Sequence, residues 1–549
     1  MEDRVATVDL AGAVGHHWGL RRTAEIVLIG LVFFVQAGWP PPDVNEAHYL
    51  AKLKHFWDSQ WCPGDAFLKS ATAHGAFAWT CGWWTRYASL PVVAWLGRLL
   101  TWGLLAWSWY RLSWTIVPRF GVALLTGGLA VALWQYGHMS GEWVVGGFEA
   151  KGIAYALNFL AIGDLLRHRY GWACIGFGAA TAVHVLVGGW AFLAAGLLYG
   201  WDRWIDRSAT RAQPPPSVPW GAVLGAIALA LCGVWPALGL NTGVASETVE
   251  LAEIVYVHRR LPHHLVFTQF PWPLIARHLG LVCVWAALVC ALNRQSAYRR
   301  LTVFIWGTVL ISTVGAVLSL VLGHDLGASA QWLRFYWHRL SDVMVPVGVA
   351  IGCAAWIEAQ SVFRPSRAAW AMIAAIGVAT SLMGYHIWQR SLPPATHVVR
   401  HDDSTDWRRV CRWIADNTPP NARVFTPISQ RTFKWYAQRS EVVTWKDIPQ
   451  DAAGIAEWWQ RFQRAKAFRR RLHEPPELIF GELQSMAEDY QFQYVLVSGF
   501  SPRPTWCGQP VVYADGGYLV VRLMSPIVGV GPCESGNDAP RVRRGDGTF

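Results

Sequence analysis

Residues 301–323 have the sequence LTVFIWGTVLISTVGAVLSLVLG, a run of 23 residues without a charged side chain. About 20 apolar residues in a helix span the hydrocarbon core of a bilayer, so this run predicts a transmembrane helix. Nine further apolar blocks predict the same, and they are residues 23–39, 88–110, 120–137, 148–166, 171–201, 219–240, 274–293, 340–357 and 368–389. The block 171–201 contains Gly188 and Gly189 near its middle, which predicts two short helices that meet at a break. The sequence therefore predicts an α-helical polytopic membrane protein with about eleven transmembrane helices.

The composition agrees with a membrane protein and excludes several other classes. Of the 549 residues, 53% are hydrophobic and 15% are charged, and the mean hydropathy is +0.23. Soluble proteins carry about 25% charged residues, so a soluble enzyme is excluded, as are a disordered chain and a collagen. The ten cysteines form no CxxC pair and are too few for a disulfide framework. Basic loops that face the anionic lipids of the bilayer explain the net charge of +11, and no nucleic-acid partner is expected.

Arginine in the short loops predicts the orientation in the membrane. If the two short helices of block 171–201 return to the side from which they start, all the short basic loops fall on one side of the membrane. The arginines of these loops include Arg21, Arg22, Arg111, Arg119, Arg167, Arg169, Arg203, Arg294, Arg300, Arg364 and Arg367. Because cytoplasmic loops are enriched in basic residues, this side is predicted to be the cytoplasm, in a plasma (bacterial inner) membrane. Residues 1–22 are then a cytoplasmic segment and 23–390 the transmembrane domain. The loops 40–87 and 241–273, and everything after residue 390, are predicted to be extracytoplasmic.

The composition changes after the last apolar block, and residues 391–524 are predicted to form an α/β domain. Helices are expected over 406–416 and across 451–490, and strands over 423–427, 441–445, 493–498, 511–513 and 518–523. Asp515, Gly516 and Gly517 predict a hairpin between the last two strands. The tail 525–549 lacks an apolar pattern and is predicted to be disordered.

The first outer loop opens with the sequence PPPDVNEAHYL at residues 40–50. A helix from about residue 44 to 57 would place His48 and Lys52 on a basic stripe beside an apolar face, and it is predicted to lie in the membrane interface. Asp43 and Glu46 stand at the start of this helix, where a carboxylate faces a polar substrate that arrives from outside. A capping box, with Asp43 as the cap and Glu46 three residues later, is the structural alternative, and both roles stay open.

Two further candidate groups lie within or beside apolar blocks. Glu149 and Lys151 stand at the outer mouth of block 148–166, where an ionisable side chain is costly and is a functional candidate for that reason. The alternative is that both side chains reach the membrane interface without a function. His184 stands at the predicted broken hairpin, either as a ligand-binding residue or as a hydrogen-bonded histidine of the core.

Basic residues on the predicted outer side suggest an anionic ligand, and phosphate is the natural match for arginine. One group follows residue 258 and consists of Arg259, Arg260, His263 and His264. A second consists of Arg334 and Arg339 among aromatic residues, in the sequence QWLRFYWHRL. Contacts to lipid headgroups and an aromatic belt with anchoring arginines are the alternatives.

The layout of spans, acidic outer loops, broken hairpin and soluble C-terminal domain resembles the GT-C superfamily of membrane glycosyltransferases and its poorly characterised bacterial relatives. The local motifs that carry this resemblance are DVNEAHYL at 43–50 and EAK at 149–151. The resemblance implies transfer of a sugar, with inversion, from a polyprenyl-phosphate donor to a glycan, lipid or protein acceptor on the outer face. It implies that Glu46 or Asp43 is the general base, with Glu149 the next candidate.

The resemblance also implies roles for the basic residues. Arg259 to His264, or Arg334 and Arg339, would neutralise the phosphate leaving group. The first outer loop contains no Asp-x-Asp pair, so a requirement for a divalent metal is left open. The competing class is a non-catalytic transporter or binding protein for lipid-linked glycans, which would need the cationic pocket but not the carboxylate.

Overall fold

The computed structural model describes residues 2–208, 218–292, 295–391, 404–472, 474–499, 505–506 and 508–524. It is a bundle of long helices followed by a smaller mixed α/β domain, which confirms the predicted fold class. The tail 525–549, predicted to be disordered, lies outside the described residues.

The bundle and its connecting segments contain most of the helices. These are α1 (Glu2–Ala37), α2 (Glu46–Trp57), α3 (Ala66–Lys69), α4 (Gly75–Cys81), α5 (Leu90–Ile116), α6 (Val122–Gly137), α7 (Ala150–Leu166), α8 (Tyr170–Val183), α9 (Val185–Ser208), α10 (Trp220–Leu238), α11 (Ser246–Ile254), α12 (Pro262–Leu265), α13 (Trp272–Ala291), α14 (Ser296–Val321), α15 (Leu326–Leu333), α16 (Arg339–Phe363) and α17 (Pro365–Ser391). A π-helical turn, Val255–Arg260, continues α11.

Seven helices among the described residues are long and apolar enough to cross a membrane: α5, α9, α10, α13, α14, α16 and α17. Helices α6 and α8 are apolar but have only 16 and 14 residues. The number of about eleven spans stays a prediction.

The break in block 171–201 lies at a different residue from the predicted one. The sequence predicts it at Gly188 and Gly189, but α8 ends at Val183 and α9 begins at Val185, so the break is at His184. A Cβ atom on Gly188 would lie 2.1 Å from the backbone nitrogen of Thr181. Gly188 is therefore required for the close packing of α8 against α9, and the helix continues through it.

Helix α16 occupies the centre of the bundle, and most of its side chains from Leu340 to Ile357 are buried. A Cβ atom on Gly348 would lie 2.8 Å from the ring of Trp285, and one on Gly352 would lie 2.3 Å from the hydroxyl of Tyr298. In lipid, where helices associate through close packing rather than through the hydrophobic effect, such small residues let neighbouring helices approach. The two glycines thus provide the space for the large rings on α13 and α14.

Many loop arginines lie together at one end of the bundle, called here the arginine end. Ion pairs Arg111–Asp164 (3.0 Å), Arg300–Asp202 (2.5 Å) and Arg119–Glu358 (2.5 Å) tie the ends of α5, α7, α9, α14 and α16 there. The opposite end, called the domain end, contacts the C-terminal domain.

The C-terminal domain consists of helices α18 (Thr405–Asn417), α19 (Phe433–Ala437), α20 (Ala452–Arg470) and α21 (Pro476–Tyr490) and strands β1 (Arg423–Phe425), β2 (Ser440–Glu441), β3 (Tyr494–Ser498), β4 (Thr505–Trp506), β5 (Gln509–Asp515) and β6 (Tyr518–Arg522). The strand order is β2-β1-β3-β6-β5-β4. Strands β1, β2 and β3 are parallel and the other pairs are antiparallel. The main difference from the prediction is β2, which has two residues, so residues 442–450 form a loop instead of a longer strand.

That loop joins the domain to the bundle. His48 Nδ1 lies 2.8 Å from Asp447 Oδ1, and Lys446 Nζ donates to Asn45 Oδ1 at 2.5 Å. The backbone amide of Ala73 donates to Gln450 at 2.6 Å. The shortened strand is therefore what brings charged residues of the domain against α2.

Candidate functional site between the bundle and the C-terminal domain

The loop 138–149 forms the floor of the site, and Asp342 on α16 holds its start. Asp342 accepts hydrogen bonds from the amides of Met139 and Ser140, both at 2.9 Å, and from the Ser140 hydroxyl at 2.6 Å. Asp342 is 1% exposed. Because a buried carboxylate with three donors is rigidly held, the loop has a fixed path into α7.

Glu149 ends this loop, directly before α7, and its side chain is buried. Its Oε2 accepts a hydrogen bond from Asn45 Nδ2 at 3.1 Å and lies 3.8 Å from Lys151 Nζ. Burial raises the pKa of Glu149, and the charge of Lys151 offsets part of that increase. A buried carboxylate whose pKa is raised is a stronger proton acceptor than an ordinary surface carboxylate.

Arg339 and Glu142 form a second buried pair beside Glu149. Arg339 Nε lies 2.9 Å from Glu142 Oε2, and Tyr155 donates to the other carboxylate oxygen at 3.1 Å. Lys151 Nζ is 3.9 Å from Glu142 and lies over the ring of Trp143. Lys151 and Arg339 together face two carboxylates, so this part of the site is nearly neutral.

His184 joins this group from the break between α8 and α9. Its Nε2 lies 3.3 Å from Arg339 Nη1, and its ring centroid is 5.0 Å from that of His74. The structure therefore brings His184, Arg339, Glu149 and Lys151 together, although they are distant in the sequence.

Arg260 and Lys446 add positive charge from the other side. Arg260 Nε donates to the carbonyl of Trp445 at 2.9 Å, and its guanidinium lies over the Trp445 ring. Lys446 Nζ bonds to the neutral Asn45. Within the part of the chain that the structure describes, neither side chain has a carboxylate within 4 Å. Burial, and after it the charge of Arg260, lower the pKa of Lys446 to about 8, which leaves it cationic at neutral pH.

Glu46 lies beneath this site in a closed ion pair. Glu46 and Arg98 are both 0% exposed, and Arg98 donates to both carboxylate oxygens, at 2.6 and 2.5 Å. The amides of Asp43 and Phe148 also donate to Glu46, at 2.7 and 2.8 Å. Four donors occupy this carboxylate, which favours a structural role for Glu46.

Gly147 allows the loop to pass over that pair. A Cβ atom on Gly147 would lie 2.7 Å from Glu46 Cγ, so only glycine fits at this approach. Asp43 is partly exposed, and its Oδ1 accepts a hydrogen bond from the Val44 amide at 2.8 Å. Asp43 is close enough to raise the pKa of Glu149 further.

Helix α2 begins at Glu46, as the sequence nearly predicts, but its basic stripe is not a solvated face. His48 contacts Asp447, and Lys52 Nζ donates to the carbonyls of Phe67 and Ser70, each at 2.5 Å. Burial lowers the pKa of Lys52 to about 8. Lys52 therefore holds the 58–77 segment against α2.

A buried charge cluster, which we call the Lys434 cluster, connects α2 to the C-terminal domain. Lys434 Nζ lies 2.5 Å from Asp447, 2.6 Å from Glu441 and 3.3 Å from Asp65. Lys434 and His48 hold the pKa of Asp447 below its ordinary value even though burial would raise it. Burial, opposed by Lys434, raises the pKa of Glu441 to about 7.

The remaining predicted site residues lie at the edge or outside. His264 is half-buried, and its Nδ1 lies 2.5 Å from the carbonyl of Ser140. Arg259 and His263 are exposed. Arg334 pairs with Glu253 and lies over the ring of Phe335, away from Glu149. Among the described residues, no group of three or more His, Cys, Asp and Glu side chains is arranged to hold a metal ion.

Sequence reasoning missed Asn45, Lys446 and the residues of the Lys434 cluster. Asn45 stands next to Glu46 and carries no charge, so no sequence pattern distinguishes it. Lys446 and Asp447 follow a predicted strand, where adjacent opposite charges look like an ordinary surface turn. The one signal was the pair of charged residues at the end of the predicted strand 441–445, in a domain otherwise rich in apolar segments. That pair could have indicated a contact with another part of the protein.

Acidification is expected to destabilise the protein through His264 and His74. Burial is the main cause that lowers the pKa of His264 to about 3 and of His74 to about 4. An unfolded histidine has a pKa of about 6.5, so below that pH the unfolded chain binds protons that the folded chain does not. Stability is therefore complete above about pH 6.5 and falls as the pH decreases towards 4.

Unfolding midpoints in detergent at pH 7.5, 6 and 5 test this dependence. His264→Gln should reduce the difference between pH 7.5 and pH 5, and His324→Gln, at an exposed turn, should leave it unchanged. A His264→Gln protein with the full pH dependence would show that His264 is not held neutral in the folded state.

Comparisons with known proteins give likenesses in fold. A sequence model described as a domain of unknown function (DUF6798) matches residues 405–465, and no curated protein matches. The structure is similar to that of ArnT from Cupriavidus metallidurans bound to undecaprenyl phosphate, with a TM-score of 0.48 and 14% identity over 94% of this chain and 99% of that one.

A second likeness is to the oligosaccharyltransferase of Archaeoglobus fulgidus in complex with Zn and sulfate. Its TM-score is 0.41 and its identity 12%, over 86% of this chain and 67% of that one. At such identities the likenesses concern the fold alone.

Proposed function

We propose that this protein is a membrane glycosyltransferase of the GT-C type, which transfers a sugar from a polyprenyl-phosphate donor to a hydroxyl acceptor. One observation carries the proposal: Arg260 and Lys446 lie near each other with no carboxylate within 4 Å among the described residues, and Asn45 links Lys446 to the buried carboxylate Glu149. A phosphate between Arg260 and Lys446 would supply the missing negative charge, because arginine and lysine are the usual phosphate-binding side chains. Glu149 would then face the sugar that the phosphate carries.

Glu149 acts as the general base in this proposal. The acceptor hydroxyl is a poor nucleophile until a positioned base takes its proton. Its oxygen bonds to C1 of the sugar from the face opposite the phosphate, which inverts the configuration. The bond between C1 and the phosphate oxygen breaks, its electron pair stays on the phosphate, and the proton goes to Glu149.

The neighbouring residues support these two roles. Asn45 contacts both Glu149 and Lys446, so it fixes the base relative to the phosphate site. Lys151 and Arg339 balance the charges of the buried carboxylates Glu142 and Glu149, which keeps the base in place beside the phosphate site. Asp43, half-exposed beside Glu149, is the second candidate base, and Glu46 supports the loop from below.

The site is proposed to face the extracytoplasmic side. The arginine end and the site lie at opposite ends of the bundle, and loops rich in arginine face the cytoplasm. The phosphate would then sit near the membrane surface, with the polyprenyl chain in the bilayer. A transporter or binding protein for lipid-linked glycans would use the same cations but would not need Glu149.

Binding of undecaprenyl phosphate to the purified protein in nanodiscs tests the phosphate site. Arg260→Met and Lys446→Met should each weaken binding by about 10- to 100-fold, because each removes a hydrogen bond between charged groups. Arg259→Met and Lys466→Met, which change exposed side chains of the same types, are the matched controls and should bind normally. Equal affinities of all four variants would contradict the assignment of this site.

A further inference from the structure

The 442–450 loop of the C-terminal domain holds both cations of the proposed phosphate site. The carbonyl of Trp445 accepts a hydrogen bond from Arg260 Nε at 2.9 Å, and the guanidinium lies over the Trp445 ring. Lys446 is the next residue, and its Nζ donates to Asn45 Oδ1 at 2.5 Å. The position of the two cations relative to each other and to α2 therefore depends on the path of this loop.

The loop is tied to its own domain by backbone contacts. The amide of Trp445 donates to the carbonyl of Ile428 at 2.8 Å, and Trp458 Nε1 donates to the carbonyl of Thr444 at 2.8 Å. These bonds fix the loop within the C-terminal domain. Its position against α2 depends on other contacts.

Two side chains at the start of α2 contact consecutive residues of the loop. Asn45, directly before α2, accepts a hydrogen bond from Lys446, and His48 Nδ1 lies 2.8 Å from Asp447 Oδ1. Residues three apart in a helix are neighbours on one face, so Asn45 and His48 form a two-point contact with the loop. A hydrogen bond to the lysine ammonium alone leaves the long side chain able to rotate, whereas the second contact fixes the backbone from which Lys446 extends.

His48 is the hydrogen-bond donor in the contact with Asp447. Although burial would raise the pKa of Asp447, Lys434 and His48 hold it below its ordinary value, so the carboxylate is ionised at neutral pH. Burial lowers the pKa of His48, which is therefore a neutral imidazole with its proton on Nδ1, towards the carboxylate. Phe67 packs on the imidazole, with 4.4 Å between ring centroids, and Lys434 Nζ lies 2.5 Å from Asp447 Oδ2. Both partners of the contact are thus held in place.

We propose that His48 is a positioning residue for the phosphate site and that it acts on Lys446 through Asp447. Its hydrogen bond holds the residue next to Lys446 against α2, so the ammonium group stays beside Asn45. The side chains of His48 and Asp447 are 16% and 3% exposed, so water replaces this bond poorly when it is lost. The inference rests on the proposed function, which assigns Lys446 to the phosphate.

Binding of undecaprenyl phosphate to the full-length protein in nanodiscs tests the proposal. His48→Leu should weaken binding by about 3- to 10-fold, which corresponds to the loss of one hydrogen bond. His48→Asn should bind within about 2-fold of the unmodified protein, because the amide nitrogen of asparagine takes the place of Nδ1 and can donate to Asp447. His55→Leu, which removes a hydrogen bond of the same length to the carbonyl of Trp61 farther along α2, is the matched control and should bind normally.

A double-variant cycle tests whether His48 acts through Lys446. With Lys446→Met in place, His48→Leu should cause no further loss of affinity, because the side chain that it positions is gone. With Arg260→Met in place, His48→Leu should cause its full loss, because Arg260 contacts Trp445 and not the residue that His48 holds. A role of His48 in the stability of α2 alone would produce neither pattern.

The alternatives give different results. Unchanged binding in His48→Leu, equal losses in His48→Leu and His48→Asn, or a full further loss in the Lys446→Met background would each overturn the proposal. A melting curve shows whether His48→Leu is folded, and if it is not, His48→Gln, whose amide lies one bond farther from the backbone, replaces it with the same expected loss. Weak binding in Lys446→Met with normal binding in His48→Leu would reject the positioning role alone, whereas normal binding in both Lys446→Met and Arg260→Met would reject the phosphate site itself.

Discussion

Glu149→Gln is expected to lower sugar transfer by about 10²- to 10⁴-fold while the protein folds normally, because glutamine keeps the size of the side chain and cannot accept a proton. Asn45 can still hydrogen-bond to the amide oxygen, so the position of the side chain should change little. Turnover is measured as the release of undecaprenyl phosphate from undecaprenyl-phosphate-linked hexoses, with a membrane fraction as the source of acceptor. Binding of undecaprenyl phosphate should stay within a few-fold of the unmodified protein.

Asp43→Asn is the matched control for this experiment. Asp43 is partly exposed and hydrogen-bonds through Oδ1 to the Val44 amide, which asparagine can also do. We expect a much smaller loss of turnover for Asp43→Asn than for Glu149→Gln. The reverse order would make Asp43 the base, and full turnover of both variants would show that the chemistry lies elsewhere.

Glu46→Gln is expected to lower the free energy of unfolding by about 3–5 kcal/mol, because it leaves the charge of Arg98 buried and unpaired. Both side chains are 0% exposed, so water cannot replace the lost carboxylate. The measurement is the unfolding transition in mixed detergent micelles. Turnover per folded molecule should change far less than in Glu149→Gln.

A double variant separates the charge from the packing. Glu46→Leu with Arg98→Met removes both charges and keeps apolar volume, and such replacements of a buried ion pair are often neutral. It should recover part of the lost stability, although the amides of Asp43 and Phe148 lose their acceptor. A Glu46→Gln protein with normal stability and about 10²-fold less turnover would instead identify Glu46 as the base.

The sequence predicts the membrane-spanning bundle, the α/β domain and the start of α2 because each depends on local apolar periodicity. It predicts the break after α8 but misplaces it. A pair of glycines in the sequence indicates weak helix propensity, whereas in the structure Gly188 lies inside a helix and packs tightly against Thr181. It also indicates Glu149, Lys151 and Arg339 as candidates, because ionisable residues in apolar segments are conspicuous, and the structure brings the three side chains together.

The partners of these residues could not be predicted. Lys446 and Asn45 are 401 positions apart in the chain, and only the docking of the C-terminal domain brings them together. The local sequence around Asp43 and Glu46 is the same whether these residues have a structural role or act as a base. What favours a structural role for Glu46 is its contact with Arg98, 52 positions away in the chain. Local patterns thus indicate candidate residues, and tertiary packing decides which groups each one contacts.

The most direct test of the proposed function is a cryo-electron microscopy structure of the protein in nanodiscs with undecaprenyl phosphate. We expect the phosphate between Arg260 and Lys446, with its oxygens at hydrogen-bonding distance from both side chains and the polyprenyl chain leading into the bilayer. Phosphate density at another place on the protein, with neither Arg260 nor Lys446 in contact with it, would contradict the account.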